Sequence, residues 1–209
     1  MTTAVSRAGV KGSVTTKLSR MPPRRSVLAM AVLSLLTTEP MHAYRMQQLI
    51  KEWHKDDVVN VTQRNSVYQT LDRLLRDGLI EVRSTERAEN RPERTTYRIT
   101  PAGRATLRDW LRTMVSTPAQ EYPEFPAALS FLPSLSQAEA TAALEERIAR
   151  LDQRLSELDA ELRRGGTFLD RVFLIESEYQ REVAVAELRY VRGLVADLRA
   201  GRVRWERPS

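Results

Sequence analysis

A mainly α chain with one small β-hairpin is the fold class that this 209-residue sequence predicts. Its expected arrangement is a winged helix-turn-helix domain followed by an α-helical hairpin, a coiled-coil dimerisation domain. Three observations predict it. First, from Arg64 to Arg76, Val67, Leu71, Leu74 and Leu75 recur at the three-to-four spacing that gathers side chains on one buried helix face. Second, Leu79-Ile80-Glu81-Val82-Arg83 and Thr95-Thr96-Tyr97-Arg98-Ile99-Thr100 read as two strands joined by a turn-prone, arginine-rich connection. Third, Leu144, Ile148, Leu151, Leu155, Leu158 and Leu162 follow a four-three alternation, the heptad signature of a coiled-coil seam.

Residues 1–25 form a basic arm, expected to be disordered: Arg7, Lys11, Lys17, Arg20, Arg24 and Arg25 are its charges, with no acid among them. Arg24-Arg25 before the apolar run Val27 to Leu36 imitates a twin-arginine or secretory signal, and the arm's composition imitates a transit peptide. No small-residue cleavage site follows, however, and the run is too short to span a bilayer. It is read as a first helix, Ser26 to Leu36, with Met1 and Met21 both open as the translation start. Glu39-Pro40 breaks the chain. A second helix, His42 to Trp53, is expected to bury Met46, Leu49, Ile50 and Trp53. The loop Lys55 to Val61 carries no motif. Thr62 is the expected N-cap of the third helix, whose first turn holds Gln63, Arg64 and Asn65. Asp77-Gly78 ends that helix, glycine reaching the left-handed cap without steric cost. Thr100-Pro101 then starts a fourth helix, with Leu107, Trp110, Leu111 and Met114 on its apolar side.

Residues 26–117 thus make the winged helix-turn-helix unit. Pro118, Pro123, Pro126 and Pro133 mark residues 118–135 as a linker. Residues 136–200 form the helical dimerisation unit and 201–209 a tail. Ser136 and Glu139 make a capping box, and Arg163-Arg164-Gly165-Gly166 stops the heptad helix. A further helix from Thr167 to about Ala200 carries a broad stripe of Phe168, Val172, Ile175, Tyr179, Val183, Ala186, Tyr190 and Leu194, wide enough to meet more than one neighbour.

Composition narrows the function. There is no cysteine, and His42 and His54 are the two histidines, so thiolate chemistry, disulfides and a histidine-built metal cage are excluded. No phosphate-cradling glycine loop or Ser/His/Asp arrangement is visible; neither an enzyme nor a cofactor is expected. A packing or turn role is expected for His42, and a surface position for His54. The formal charge is +6. Residues 27–117 are net positive and residues 118–209 net negative, as expected if the first half meets a polyanion and the second meets protein. A cytoplasmic protein without a membrane partner fits these features.

On the third helix, Asn65, Ser66, Gln69, Arg73 and Arg76 oppose the apolar face, and this polar face is read as free of acids. A core-anchored helix with such a face is the part a protein inserts into a DNA major groove. Gln69 and Arg73 are the candidate base-edge readers, with Arg64, Asn65 and Ser66 beside them; Arg91 and Arg94 at the wing are candidates for phosphate or minor-groove contact. Tyr68 is either half-buried and structural or a phosphate contact. The bland reading is a solvated helix beside an ordinary hairpin. Leu144, Ile148, Leu151, Leu155, Leu158 and Leu162, with Val172, Ile175 and Tyr179, are the expected homodimer interface, because a seam this regular usually finds a partner helix. Against it stands a monomer whose two long helices fold back on their own winged helix. A different function, a coiled-coil interaction module whose winged helix binds no DNA, also remains.

The strings MHAYRM (Met41 to Met46), SVYQTLDRLLRDGLIE (Ser66 to Glu81) and RTTYRITPAGR (Arg94 to Arg104) resemble the PadR family of transcriptional regulators. The resemblance runs from about Ser26 to Leu111. It departs at Ala43, where the family usually has glycine; alanine favours helix, so the turn should tighten. The resemblance implies a homodimeric repressor on double-stranded DNA, an inverted repeat, with pairing through the carboxy-terminal helices. It favours DNA contact for Tyr68. It also implies an aromatic or drug-like effector near the dimer interface, for which Trp110 is a candidate.

Overall fold

The computed structural model describes residues 25–53, 64–86 and 94–205. Residues 1–24, residues 54–63 with His54 and Thr62, residues 87–93 with Arg91, and the last four residues lie outside them. The chain divides into two compact units, residues 1–119 and 120–209.

The first unit begins with α1 (Val27–Thr38), capped by the Ser26 hydroxyl, which accepts from the Ala29 N–H. Ala29, Val32, Leu33 and Leu36 bury one face of α1 against α3 (Arg64–Arg76) and α4 (Pro101–Ser116). Next in sequence comes α2 (Ala43–Glu52), whose N-cap is His42: its Nδ1 accepts from the Arg45 N–H at 3.1 Å. Alanine at position 43 therefore begins the helix rather than loosening its entry. From α3, Val67, Leu71 and Leu74 enter the same core as Met46, Leu49 and Ile50 of α2.

Trp53 departs from expectation. Helical spacing places it with Leu49 and Ile50, but it is the C-cap residue of α2 and stays 51% exposed, because the helix has ended before its side chain could turn inward.

The wing is β2 (Ile80–Glu86) paired antiparallel with β3 (Arg94–Ile99), and a bulge between Val82 and Ser84 shifts the register at Arg83. A two-residue strand, β1 (Met41–His42), adds to the other side of β3, giving the order β1-β3-β2. This third strand was not expected: two residues carry no periodic signal. Gly78, with φ 70°, ends α3 in the left-handed conformation. The junction with α4 explains the YRITPAGR string. The Thr100 hydroxyl accepts from the Gly103 N–H and donates to the carbonyl of Gly78 at 2.8 Å. A Cβ on Gly103 would strike the Leu79 carbonyl oxygen and the Ile99 side chain, so only glycine permits this approach of helix to strand.

In the second unit, the expected linker contains a helix, α5 (Glu124–Ser130), and a 3-10 turn, Leu132–Ser134. Prolines mark the ends of such short elements as readily as they mark unstructured chain. Next, α6 (Gln137–Gly165) begins with the full capping box, Ser136 and Glu139 bonding to each other's backbone N–H. It runs antiparallel to α7 (Ile175–Arg199). The second long helix thus starts at Ile175 rather than Thr167. A turn and a 3-10 segment, Arg171–Phe173, intervene, and Leu174 packs where a side chain on Gly165 would stand.

The heptad seam packs in part against α7. Leu144 and Leu158 are buried, at 4% and 1% exposure, and Ile148, Leu151, Leu155 and Leu162 are half-buried. The α7 side of this packing is Ala184, Leu188, Val191, Val195 and Leu198, a second four-three series. In the stripe read from the sequence, Phe168, Val172, Ile175, Tyr179, Val183, Ala186 and Tyr190 are instead exposed, while Leu194 is half-buried against the hairpin core. Two apolar series coexist on α7, and periodicity alone does not say which one meets α6.

Candidate nucleic-acid interface

The winged-helix unit offers one polar helix face flanked by a wing. Val67, Thr70, Leu71 and Leu74 hold α3 against the core, which leaves Tyr68, Gln69, Asp72 and Arg76 exposed on its other side. Ser66 is half-buried. Arg64 and Asn65 lie in the first turn of α3 and Arg94 begins β3, but the side chains of all three fall outside the described residues, as does Arg91 entirely.

Two flanks of this face differ from the sequence reading. On the α1 side, Arg73 is half-buried rather than outward, and its guanidinium donates to the Ser26 hydroxyl at 2.9 Å. The bond ties α3 to the start of α1 across 47 positions of sequence. A separation of that size leaves no local signal. On the wing side, Asp72 is exposed, so the outer face is not free of acids. Counting three and four residues from Gln69 and Arg76 places Asp72 beside them, a signal present in the sequence but not drawn from it.

The wing side has its own electrostatics. Burial, foremost, and then the Asp72 carboxylate and Tyr68 hold the Tyr97 phenol above its usual range, while a hydrogen bond with Thr95 opposes them. Tyr68, 51% exposed, and Asp72, both on α3, thus act electrostatically on the Tyr97 phenol of β3. Tyr44, 59% exposed, lies at the start of α2 with its ring centroid 6.4 Å from that of His42. Arg45 and Glu52 pair along α2, and Arg98 pairs with Glu81 across the two wing strands. Trp110 is half-buried against the winged-helix core.

Residues 32–109 match the family described as "Transcriptional regulator PadR-like family". Over those residues the winged helix resembles that of the PadR-like family. Solved structures share the fold at low sequence identity. Bacillus subtilis PadR in complex with operator DNA is 22% identical, with a TM-score of 0.65 over 83% of this chain and 99% of that one. The same Bacillus subtilis protein in complex with p-coumaric acid gives 20%, a TM-score of 0.67 and the same coverage. The Vibrio cholerae virulence activator AphA gives 20% and 0.63, over 83% of this chain and 98% of that one. No curated protein matches the chain. The PadR-like fold accounts for both units: a winged helix and a carboxy-terminal helical region. Among the described residues, no group of His, Cys, Asp and Glu could hold a metal, and no helix is long and apolar enough to cross a membrane.

Proposed function

We propose that this protein is a homodimeric, sequence-specific DNA-binding transcriptional regulator, acting as a repressor and released by a small-molecule effector. The observation that carries the proposal is the exposed polar face of α3, anchored by a fully buried apolar face beside a two-stranded wing. An α-helix of this kind fits the major groove, while a wing reaches the neighbouring backbone. The fold's occurrence in a protein bound to operator DNA supports the same reading.

Pairing is assigned first to the outer side of α7, whose stripe is more exposed than the α6 seam. Val172, Ile175 and Tyr179 are exposed at 63%, 53% and 71%, and Val183 and Tyr190 continue the stripe. A second copy would bury this surface and present two α3 helices to the half-sites of an inverted repeat. The p-coumaric acid complex of Bacillus subtilis PadR supports the effector part of the reading, with Trp110 the candidate contact.

Fluorescence-anisotropy titration of duplex DNA across a salt series tests the reading. The expected result is affinity that falls steeply with salt, plus an inverted repeat among selected fragments. Normal pairing with no salt-dependent DNA affinity would leave the interaction-module function instead. Transcription from a promoter carrying the repeat, with and without the protein, tests repression.

A further inference from the structure

Asp72 has no role in the proposal above, yet it stands on the face offered to DNA. Arg73, the neighbour that sequence spacing suggested as a reader, is half-buried and donates to Ser26 at 2.9 Å. The exposed side chains between the first turn of α3 and its end are Tyr68, Gln69, Asp72 and Arg76. A carboxylate on this face is a liability near phosphates, which repel it, and an asset near an exocyclic amine, which donates to it. Asp72 falls on one stripe with exposed Gln69, three residues before it, and exposed Arg76, four residues after it.

We propose that Asp72 is a specificity-determining residue, accepting a hydrogen bond from the exocyclic amine of a cytosine in each half-site. The inference rests on the reading that α3 enters the major groove. Cytosine offers there its N4 amino donor, from which a carboxylate accepts, whereas adenine sets its N6 donor beside an N7 acceptor that repels a carboxylate. The same charge repels duplexes that place no donor opposite it, so Asp72 gains selectivity at the cost of indiscriminate affinity. Arg73 then acts as a positioning residue, holding the α1 flank of the helix so that the Asp72 flank keeps its place.

The test compares the full-length protein with Asp72→Asn and Asp72→Ala, using randomised duplexes for selection and single-base variants of the selected repeat for affinity. The wild type should prefer cytosine at one symmetric position, by about tenfold or more, from the usual value of one good base contact. Both variants should lose that preference, and Asp72→Asn should shift it toward adenine, which asparagine pairs with through N6 and N7. Affinity for random duplex should rise severalfold in both. Thermal midpoints should match the wild type, since the side chain is exposed. An unchanged base profile would overturn the inference, even if affinity for all duplexes rose together. A wild type with no salt-dependent affinity for any duplex would overturn the DNA-binding reading itself, a distinguishable failure.

Discussion

Ser26 serves two elements at once: its hydroxyl accepts from the Ala29 N–H to cap α1 and from Arg73 to hold α3. Ser26→Ala should cost about 1 kcal/mol from the cap alone, with more from the orphaned guanidinium. Arg73→Ala should cost about 1 kcal/mol. Because both changes remove one shared bond, the double variant should cost less than their sum, as read from urea unfolding midpoints. Strict additivity would show that the bond contributes nothing. Gly103→Ala is the sharper lesion. Its new methyl meets the Leu79 carbonyl, backbone that does not yield, and a loss of about 1–3 kcal/mol is expected, visible as a lowered melting temperature. The cap at Thr100, the turn glycine at position 78 and the apolar anchors of α3 were legible in the sequence, because each acts on neighbours within a turn or two. The Arg73–Ser26 bond was not, because it exists only once α1 and α3 pack.

At the scale of elements, the hairpin shows how spacing reveals a repeat without revealing which face of α7 packs on it. The α6 heptads were plain, and so was the capping box. Their complement on α7 was hidden by a second apolar series that is exposed in this chain. Polar pairs flank the buried seam and set the register: Arg147 with Glu187, Asp152 with Arg192, Asp159 with Arg181, Glu145 with Arg199. Leu158→Ala, at the most buried seam position of α6, should destabilise the second unit by about 2–5 kcal/mol, measured by chemical denaturation. The winged helix, with a core of its own, should retain its melting transition. If both units lose stability equally, the hairpin is not an independent folding unit.

For the whole molecule, the proposed function turns on whether two copies pair symmetrically on DNA. Ile175→Glu and Tyr179→Glu put charge into the exposed α7 stripe without touching the buried seam. Light scattering after gel filtration should show monomers, with helical content unchanged by circular dichroism. Affinity for an inverted repeat should fall to that of a half-site, because the second recognition helix is no longer tethered. Dimers that survive both substitutions would move the pairing surface elsewhere.

The sequence by itself determined the succession of elements, the chemistry of the caps and the absence of thiolate chemistry, because each depends on the residue and its near neighbours. Only the tertiary structure decided which of two apolar faces of α7 is covered, which flank of α3 holds its arginine, and that an aspartate takes the outward place. Those outcomes depend on how helices rotate against one another, and a rotation of half a turn changes no local pattern while exchanging the buried and exposed sides.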